Sequence, residues 1–280
     1  MSRAEREDHR GRHRERRAGR RDDYREPIWA RPEPIGRRAP RSRDDIADAA
    51  IAVADAEGLD AVSMRRVAAE LGLGTMSLYH YVHSKDELLD LMGDGIMAGQ
   101  LVDDAELERG WRAGLTAIAH ATRSNFERHP WIAEAMKPRP QTIPGPNATR
   151  HVDQSIAAVA GIDAELQTKM DIIAVVDDYV IGFVLRMERA TDAMDEAGDA
   201  DAEWVEAVFE HLRRRLDTGE YPHLQAALQA QVDAGGDIED LARMASDERR
   251  FDRGLQFLLD GIEVELARQA APAAKRRRGR

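Results

Sequence analysis

The 280-residue chain contains no cysteine. That absence excludes a disulfide framework and a thiolate metal site, and it points to a reducing compartment, the cytoplasm. Aromatic residues are scarce at 5%, so aliphatic side chains and alanine must fill whatever core exists. No apolar run approaches the roughly 20 residues that a membrane-spanning helix needs. The longest candidate, Ile172 to Met187, is interrupted by Asp177, Asp178 and Arg186. The N-terminus carries arginines but no apolar stretch, so a secretory signal is not expected. Also missing are a Gly-x-Ser-x-Gly elbow, a Gly-Lys-Ser/Thr phosphate loop and a paired-histidine zinc signature. Gly93-Asp94-Gly95 is too short to replace them. The expectation is a protein without catalysis, cofactor, metal or membrane partner.

Charge, by contrast, is abundant. Acids number 52 against 41 Lys and Arg, a formal net charge of -11. Its distribution is uneven. Up to Arg43 arginines outnumber acids about two to one, and the chain closes on Lys275-Arg276-Arg277-Arg278-Gly279-Arg280. Basic ends on an acidic body suggest one face for nucleic acid and another that repels it. Residues 1–41 have almost no apolar content and read as a disordered Arg-rich tail, either solubilising or a non-specific phosphate-binding arm. Residues 272–280 read as a second basic tail.

From Ser42 the composition changes. Ser42 is placed to cap a helix, with Asp44 and Asp45 at its positive end. Ile46, Ala49, Ala50 and Val53 follow at helical spacing, and Gly58 stops the helix. Ser63 opens a second helix with Met64, Val67, Ala68 and Leu71 on one face. Gly72-Leu73-Gly74 breaks the chain, and a third short helix runs from Thr75 to Val82 through Leu78. Ser84 caps a fourth, Asp86 to Gln100, bearing Leu88, Leu89, Met92 and Ile96. Two short helices across a glycine turn, behind a support helix, are the layout of a DNA-binding helix-turn-helix, here residues 42–102.

Residues 103–271 also read as helical. Leu107 to His129 forms one segment, ended by Pro130. A Pro/Gly loop covers 137–147, and Arg150 to Gly161 is a further helix. A long helix starts at Asp163, Ala190 to Ala202 reads as loose, and the last helices cover 203–216 and 247–268. Phe251, Leu255, Leu258, Ile262 and Leu266 stripe the last. The fold class is all-α: a three-helix helix-turn-helix domain followed by a larger helical domain for effector binding and dimerisation.

The stretch from Gly58 through Ser63-Met-Arg-Arg-Val-Ala-Ala-Glu-Leu-Gly-Leu-Gly74 to Thr75-Met-Ser-Leu-Tyr-His-Tyr-Val-His-Ser-Lys-Asp-Glu-Leu-Leu89 resembles the tetracycline-repressor (TetR) family. So do Glu127-Arg-His-Pro-Trp131 and Phe251-Asp-Arg-Gly-Leu-Gln-Phe-Leu-Leu-Asp-Gly-Ile262, which look like that family's C-terminal domain. The resemblance implies a homodimer built on a four-helix bundle, and phosphate contacts by Tyr79 and Lys85. It implies double-stranded operator DNA and a small-molecule effector as partners.

Side-chain chemistry supplies roles beside the resemblance. A recognition helix offers its N-terminal residues to base edges in the major groove. Thr75 and Ser77 can hydrogen-bond several bases there, and Met76 can pack on a thymine methyl. Tyr79 and His80 lie on the same helix and can reach phosphate or base; Tyr79 could also be a partly buried core aromatic, but the motif favours the DNA role. Arg65 is the candidate for a guanine contact. Arg66 is either a DNA contact or a solvated charge, and Ser63 can bond a phosphate from its helix start. His80 and His83 stand three apart, a metal spacing that the surrounding motif explains otherwise.

The effector candidates are Trp111, Phe126, His129, Trp131, Met136, Met170, Asp177, Asp178, Phe183 and Met187. Aromatic and methionine stripes at helical spacing also serve as ordinary core. Magnesium-tetracycline is not the expected ligand, because Ile132-Ala-Glu-Ala-Met-Lys137 stands where the metal-binding histidine of that mode would fall. His129 and His151 are the nearest histidines. The function expected is a transcriptional repressor released from a palindromic operator by its effector. An activator and a non-specific architectural DNA-binding protein are the alternatives.

Overall fold

The structure is a computed structural model that describes residues 27–34, 41–135, 144–197, 202–236 and 249–270. The described residues hold helices and no strand, as the periodicity predicts. They divide into two compact units, one reaching Gly95 and including 144–147, the other running from Ile96 through the remaining segments.

In the first unit, α1 spans Arg43–Glu57. Ser42 caps it reciprocally: its hydroxyl accepts from Asp45 N–H at 3.0 Å, and Asp45 Oδ2 accepts from Ser42 N–H at 2.7 Å. These bonds to Ser42 hold the Asp45 carboxyl below its usual range. Such a box satisfies donors that a helix start leaves orphaned. Gly58, at φ 83°, ends α1 in a conformation that only glycine adopts without strain.

A short 3-10 turn at Leu59–Ala61 leads to α2, Met64–Glu70, and Gly72 at φ 67° turns the chain into α3, Thr75–Leu78. The helix expected to reach Val82 therefore holds α geometry for one turn. Its continuation tightens, with His80 and Tyr81 N–H donating three residues back, to Ser77 and Leu78. α4 covers Lys85–Ala98. The core contains Ile46, Ala50 and Val53 of α1, Val62, Val67 of α2, Leu78, Tyr81, Val82 and Leu88.

One expectation is overturned here. Residues 1–41 were to bury nothing, yet Ile28 is only 3% exposed. The Arg43 guanidinium donates to the carbonyls of Ile28 at 2.6 Å and Arg31 at 2.9 Å, fastening the segment 27–34. Ile28 and Trp29 supply the apolar content that the tail's average composition concealed. Tail positions 1–26 and 35–40, like the basic tail at 272–280, lie outside the described residues.

The second unit contains α5 (Asp104–Glu108), α6 (Trp111–Arg128), α7 (Ile132–Ala135), α8 (Pro146–Val159) from Ala148 onward, α9 (Leu166–Ala197), α10 (Ala202–Leu216), α11 (Pro222–Asp233) and α12 (Arg249–Ala270). The single helix expected over 107–129 is broken at Gly110, whose φ of 105° no α-helix permits. α9 continues to Ala197, through a stretch read as loose. Over 190–197 that stretch is polar but includes Ala190, Ala193, Met194, Glu196 and Ala197, all good helix formers. α11 went unforeseen, since Pro222 sits where a helix tolerates proline, in its first turn.

Leu115 and Ile118 of α6, Val159 of α8, Val176, Val180 and Phe183 of α9, and Phe251, Leu255 and Leu259 of α12 form the main core. Gly114 brings α6 onto α8, since a methyl there would lie 3.0 Å from Ala158 Cβ. Phe251 is fully buried, with the Phe183 ring edge-on at 5.1 Å and the Arg123 guanidinium 4.9 Å from its centroid. α10 and α11 share a smaller cluster of Leu212, Leu216 and Leu228.

α9 also carries a cost. Burial, with Asp178 beside it, pushes the Asp177 carboxyl up to about 6. The folded value lies above the unfolded one, so the ionised carboxylate weakens the fold at neutral pH and this penalty fades as pH falls through 6.

Two outcomes are expected. Phe251→Ala should destabilise the chain by about 3–5 kcal/mol in urea unfolding, the range for a large core aromatic. Asp177→Asn should raise Tm at about pH 7.5, and the difference from the natural chain should narrow by about pH 5 as its carboxyl protonates. A gap independent of pH would exclude the buried charge as its cause.

Candidate nucleic-acid interface

α2 and α3 present the sequence-predicted DNA residues in two ways. On α3, Leu78 is fully buried and anchors the turn. Its neighbours Met76, Ser77, Tyr79 and His80 are exposed, and Thr75 is half-buried. Met76 is 77% exposed, which removes a core role and leaves an apolar side chain in water, as a surface built to meet a partner does. Of the aromatic pair, Tyr81 is buried at 4% and Tyr79 is exposed at 41%. The core therefore takes Tyr81, and Tyr79 stands outside it.

On α2, Arg65 is exposed. Arg66 is engaged within the protein: its guanidinium donates to Glu57 Oε1 at 2.7 and 2.9 Å and to Glu70 Oε2 at 2.9 Å. Hydrogen bonding to Arg66 holds the Glu57 carboxyl below its usual range. Ser63 caps α2, its hydroxyl oxygen accepting from Arg66 N–H at 3.2 Å. The hydroxyl proton stays available to another acceptor. Lys85 opens α4 exposed.

Residues that sequence reasoning missed adjoin this surface. Glu87 in the first turn of α4 accepts from His83 N–H at 2.8 Å and from the Arg31 guanidinium at 2.6 Å. Arg31 also meets the His83 ring, 3.0 Å from Nε2. The signal was present as Ile28-Trp29, the one large apolar pair before Arg41. His80 and His83 gain no third ligand, for the described residues contain no group of three or more His, Cys, Asp or Glu able to hold a metal.

The effector candidates separate in the second unit. Trp111, Phe183 and Met187 belong to the main core or pack against it. Phe126 and Trp131 are buried, and His129 meets Trp131 edge-on with centroids 6.1 Å apart. Met170 and Asp177 are half-buried, Asp178 is exposed, and Met136 lies outside the described residues.

Polar side chains that were not singled out are buried as well. Asn125 of α6 donates from Nδ2 to Ile96 O at 2.9 Å, while its Oδ1 is buried with no partner. His151 of α8 is buried, its Nδ1 is likewise unpartnered, and burial lowers its pKa, favouring the neutral ring. Buried polar atoms left without partners are costly, and a bound polar group would satisfy them. Their sequence signal was weak, since an asparagine and a histidine in polar company mark no periodicity.

Known proteins match this architecture. Residues 46–92 match the model of bacterial regulatory proteins of the tetR family, and 105–266 match the tetracyclin repressor-like C-terminal domain. The HTH-type transcriptional repressor DrrR1 of Streptomyces coeruleorubidus is 37% identical over 232 residues, 82% of this chain and 80% of that one. Apo ActR from Streptomyces coelicolor superposes with a TM-score of 0.62 at 25% identity, covering 83% of this chain and 99% of its own. ActR in complex with actinorhodin matches at a TM-score of 0.56 and 25% identity, over 81% and 97%. With both halves of the chain matched and a curated relative at this identity, the protein belongs to the TetR family of bacterial transcriptional regulators.

Proposed function

We propose that this regulator is a homodimeric repressor, working in the cytoplasm, that holds a palindromic operator and releases it when a small organic effector binds. The observation that carries the DNA half is α3, a single helical turn anchored by Leu78 with Met76, Ser77, Tyr79 and His80 facing solvent. Thr75, Met76 and Ser77 read base edges, Arg65 contacts a guanine, and Tyr79, Lys85 and the Ser63 hydroxyl hold phosphates. Arg66, tied to Glu57 and Glu70, contributes chiefly by keeping those carboxylates neutralised.

A repressor of this family needs a second copy to span two half-sites about one DNA turn apart, about 34–36 Å. α12 offers the surface: Phe257 is 75% and Val264 52% exposed, with Gly261 between them at helical spacing. Val175 and Gly182 of α9 are exposed as well. Together they supply the apolar seam of a four-helix bundle formed by two helices from each copy.

For the effector, the relative ActR, solved with actinorhodin, supports a small-molecule site in the helical unit. Asn125 Oδ1 and His151 Nδ1 are polar anchors for it, since both await partners. The neutral His151 ring offers Nδ1 as donor or acceptor according to tautomer. The effector acts only through unequal affinity for the free and DNA-bound forms. Turnover of the effector plays no part in this reading.

Selection of fragments from a random DNA library at physiological salt should enrich a palindrome. Arg65→Ala should then cost about 1–3 kcal/mol and relax preference at one base pair, whereas Tyr79→Ala should weaken all sequences alike. Equal recovery of every fragment would favour an architectural protein instead. Phe257→Asp should yield monomers in light scattering and lose the palindrome. Persistence of the dimer would place its interface elsewhere.

A further inference from the structure

The segment Pro27 to Pro34 belongs to none of the helices, and the family matches begin only at residue 46. It is nonetheless packed at several points. Ile28 is buried, Arg43 reaches back to the carbonyls of Ile28 and Arg31, and Trp29 lies against the backbone of Gly145, where a methyl would come within 2.6 Å of Trp29 Cζ2. Ordering a non-helical segment costs backbone conformational entropy at every residue. A segment that only linked a tail to α1 would have no reason to be held this way.

Arg31 shows what the packing positions. Its guanidinium is 2.6 Å from Glu87 Oε2, and the two side chains are 13% and 15% exposed. That is much drier than the Arg66 pair, at 34% and 42%. Screening is weaker in such a place, so each charge depends more on the other. The same Glu87 oxygen accepts from His83 N–H, and Arg31 also meets the His83 ring. One ion pair therefore fixes the junction that leaves α3 and enters α4.

The electrostatic consequence concerns the start of α4. A helix N-terminus attracts a phosphate, but the first turn of α4 contains both Asp86 and Glu87. A bare Glu87 would oppose a phosphate approaching Lys85. Arg31 cancels that charge, so one carboxylate fewer in this turn opposes the exposed Lys85 ammonium.

We propose that Pro27–Pro34 is a working part of the DNA-reading unit, in which Arg31 is a positioning residue for DNA backbone binding. Through Glu87 and His83 it sets the α3–α4 junction and neutralises the carboxylate beside Lys85, without itself touching DNA. This rests on the DNA-binding reading above.

The test uses the full chain and the palindrome that it selects, with affinity measured across a salt series. Arg31→Ala should weaken binding about tenfold while the slope of log K against log salt stays unchanged, because no phosphate contact is removed. Adding Glu87→Gln to that chain should recover most of the loss. Arg31→Gln, which keeps a donor but loses the charge, is measured beside it and should be weakened too, so a misfolded alanine chain leaves the question answerable. Circular dichroism reports the fold of each. Natural affinity in Arg31→Gln, or no recovery on adding Glu87→Gln, overturns the proposal. So does a slope shallower by about one, which would make Arg31 a direct phosphate contact. If the natural chain selects no palindrome, the DNA reading fails and this proposal with it, whereas selection that is insensitive to Arg31 sinks the role of the segment alone.

Discussion

A helix of one turn cannot hold itself together in water, because nucleation fixes several residues for a single hydrogen bond. α3, Thr75–Leu78, is such a helix, so its existence depends on what its inward side chains bury. Leu78 and Val82 are fully buried and Tyr81 nearly so. Those anchors leave Met76, Ser77, Tyr79 and His80 no direction but outward. The exposed side of α3 is thus the reverse side of a core, and its outward residues owe their orientation to buried ones.

Charge obeys a similar division. A chain of net charge -11 should be repelled by a polyanion, yet several acids around α2, α3 and the start of α4 are occupied. Glu57 and Glu70 are bound to Arg66, Glu87 to Arg31, and Asp45 to its own helix start. A paired carboxylate presents little field beyond its partner. The acidic balance of the whole therefore says little about the local charge around α2 and α4, where Arg65 and Lys85 are exposed. The second unit shows the opposite economy: Asn125 and His151 each keep one polar atom buried and unsatisfied.

Much of this was legible in the residues. Helix starts marked by Ser42 and Ser63, stops marked by Gly58 and Gly72, and the apolar spacing of Ile46, Val53 and Val67 all correspond to observed elements. What escaped had physical reasons. Gly110 was absorbed into a helix because its neighbours keep the period, while its positive φ is a matter of tertiary fit. Composition averaged over a long tail concealed Ile28, because one buried isoleucine needs no periodicity. The pairing of Arg66 with two glutamates, one nine residues away, was beyond any local reading, although a solvated charge had been one of its two assignments.

The position of Trp29 has an optical consequence. The four tryptophans of the sequence are Trp29, Trp111, Trp131 and Trp204, and Trp29 alone falls in the unit that carries α3. Indole emission shifts with the polarity around the ring, and this ring is half-buried against Gly145. With phenylalanine at the other three positions, the protein would carry a single tryptophan, excitable apart from its tyrosines at the red edge of absorption, at the junction between Pro27–Pro34 and the 144–147 segment. The docking of that junction would then be visible in solution as a colour, with no label attached.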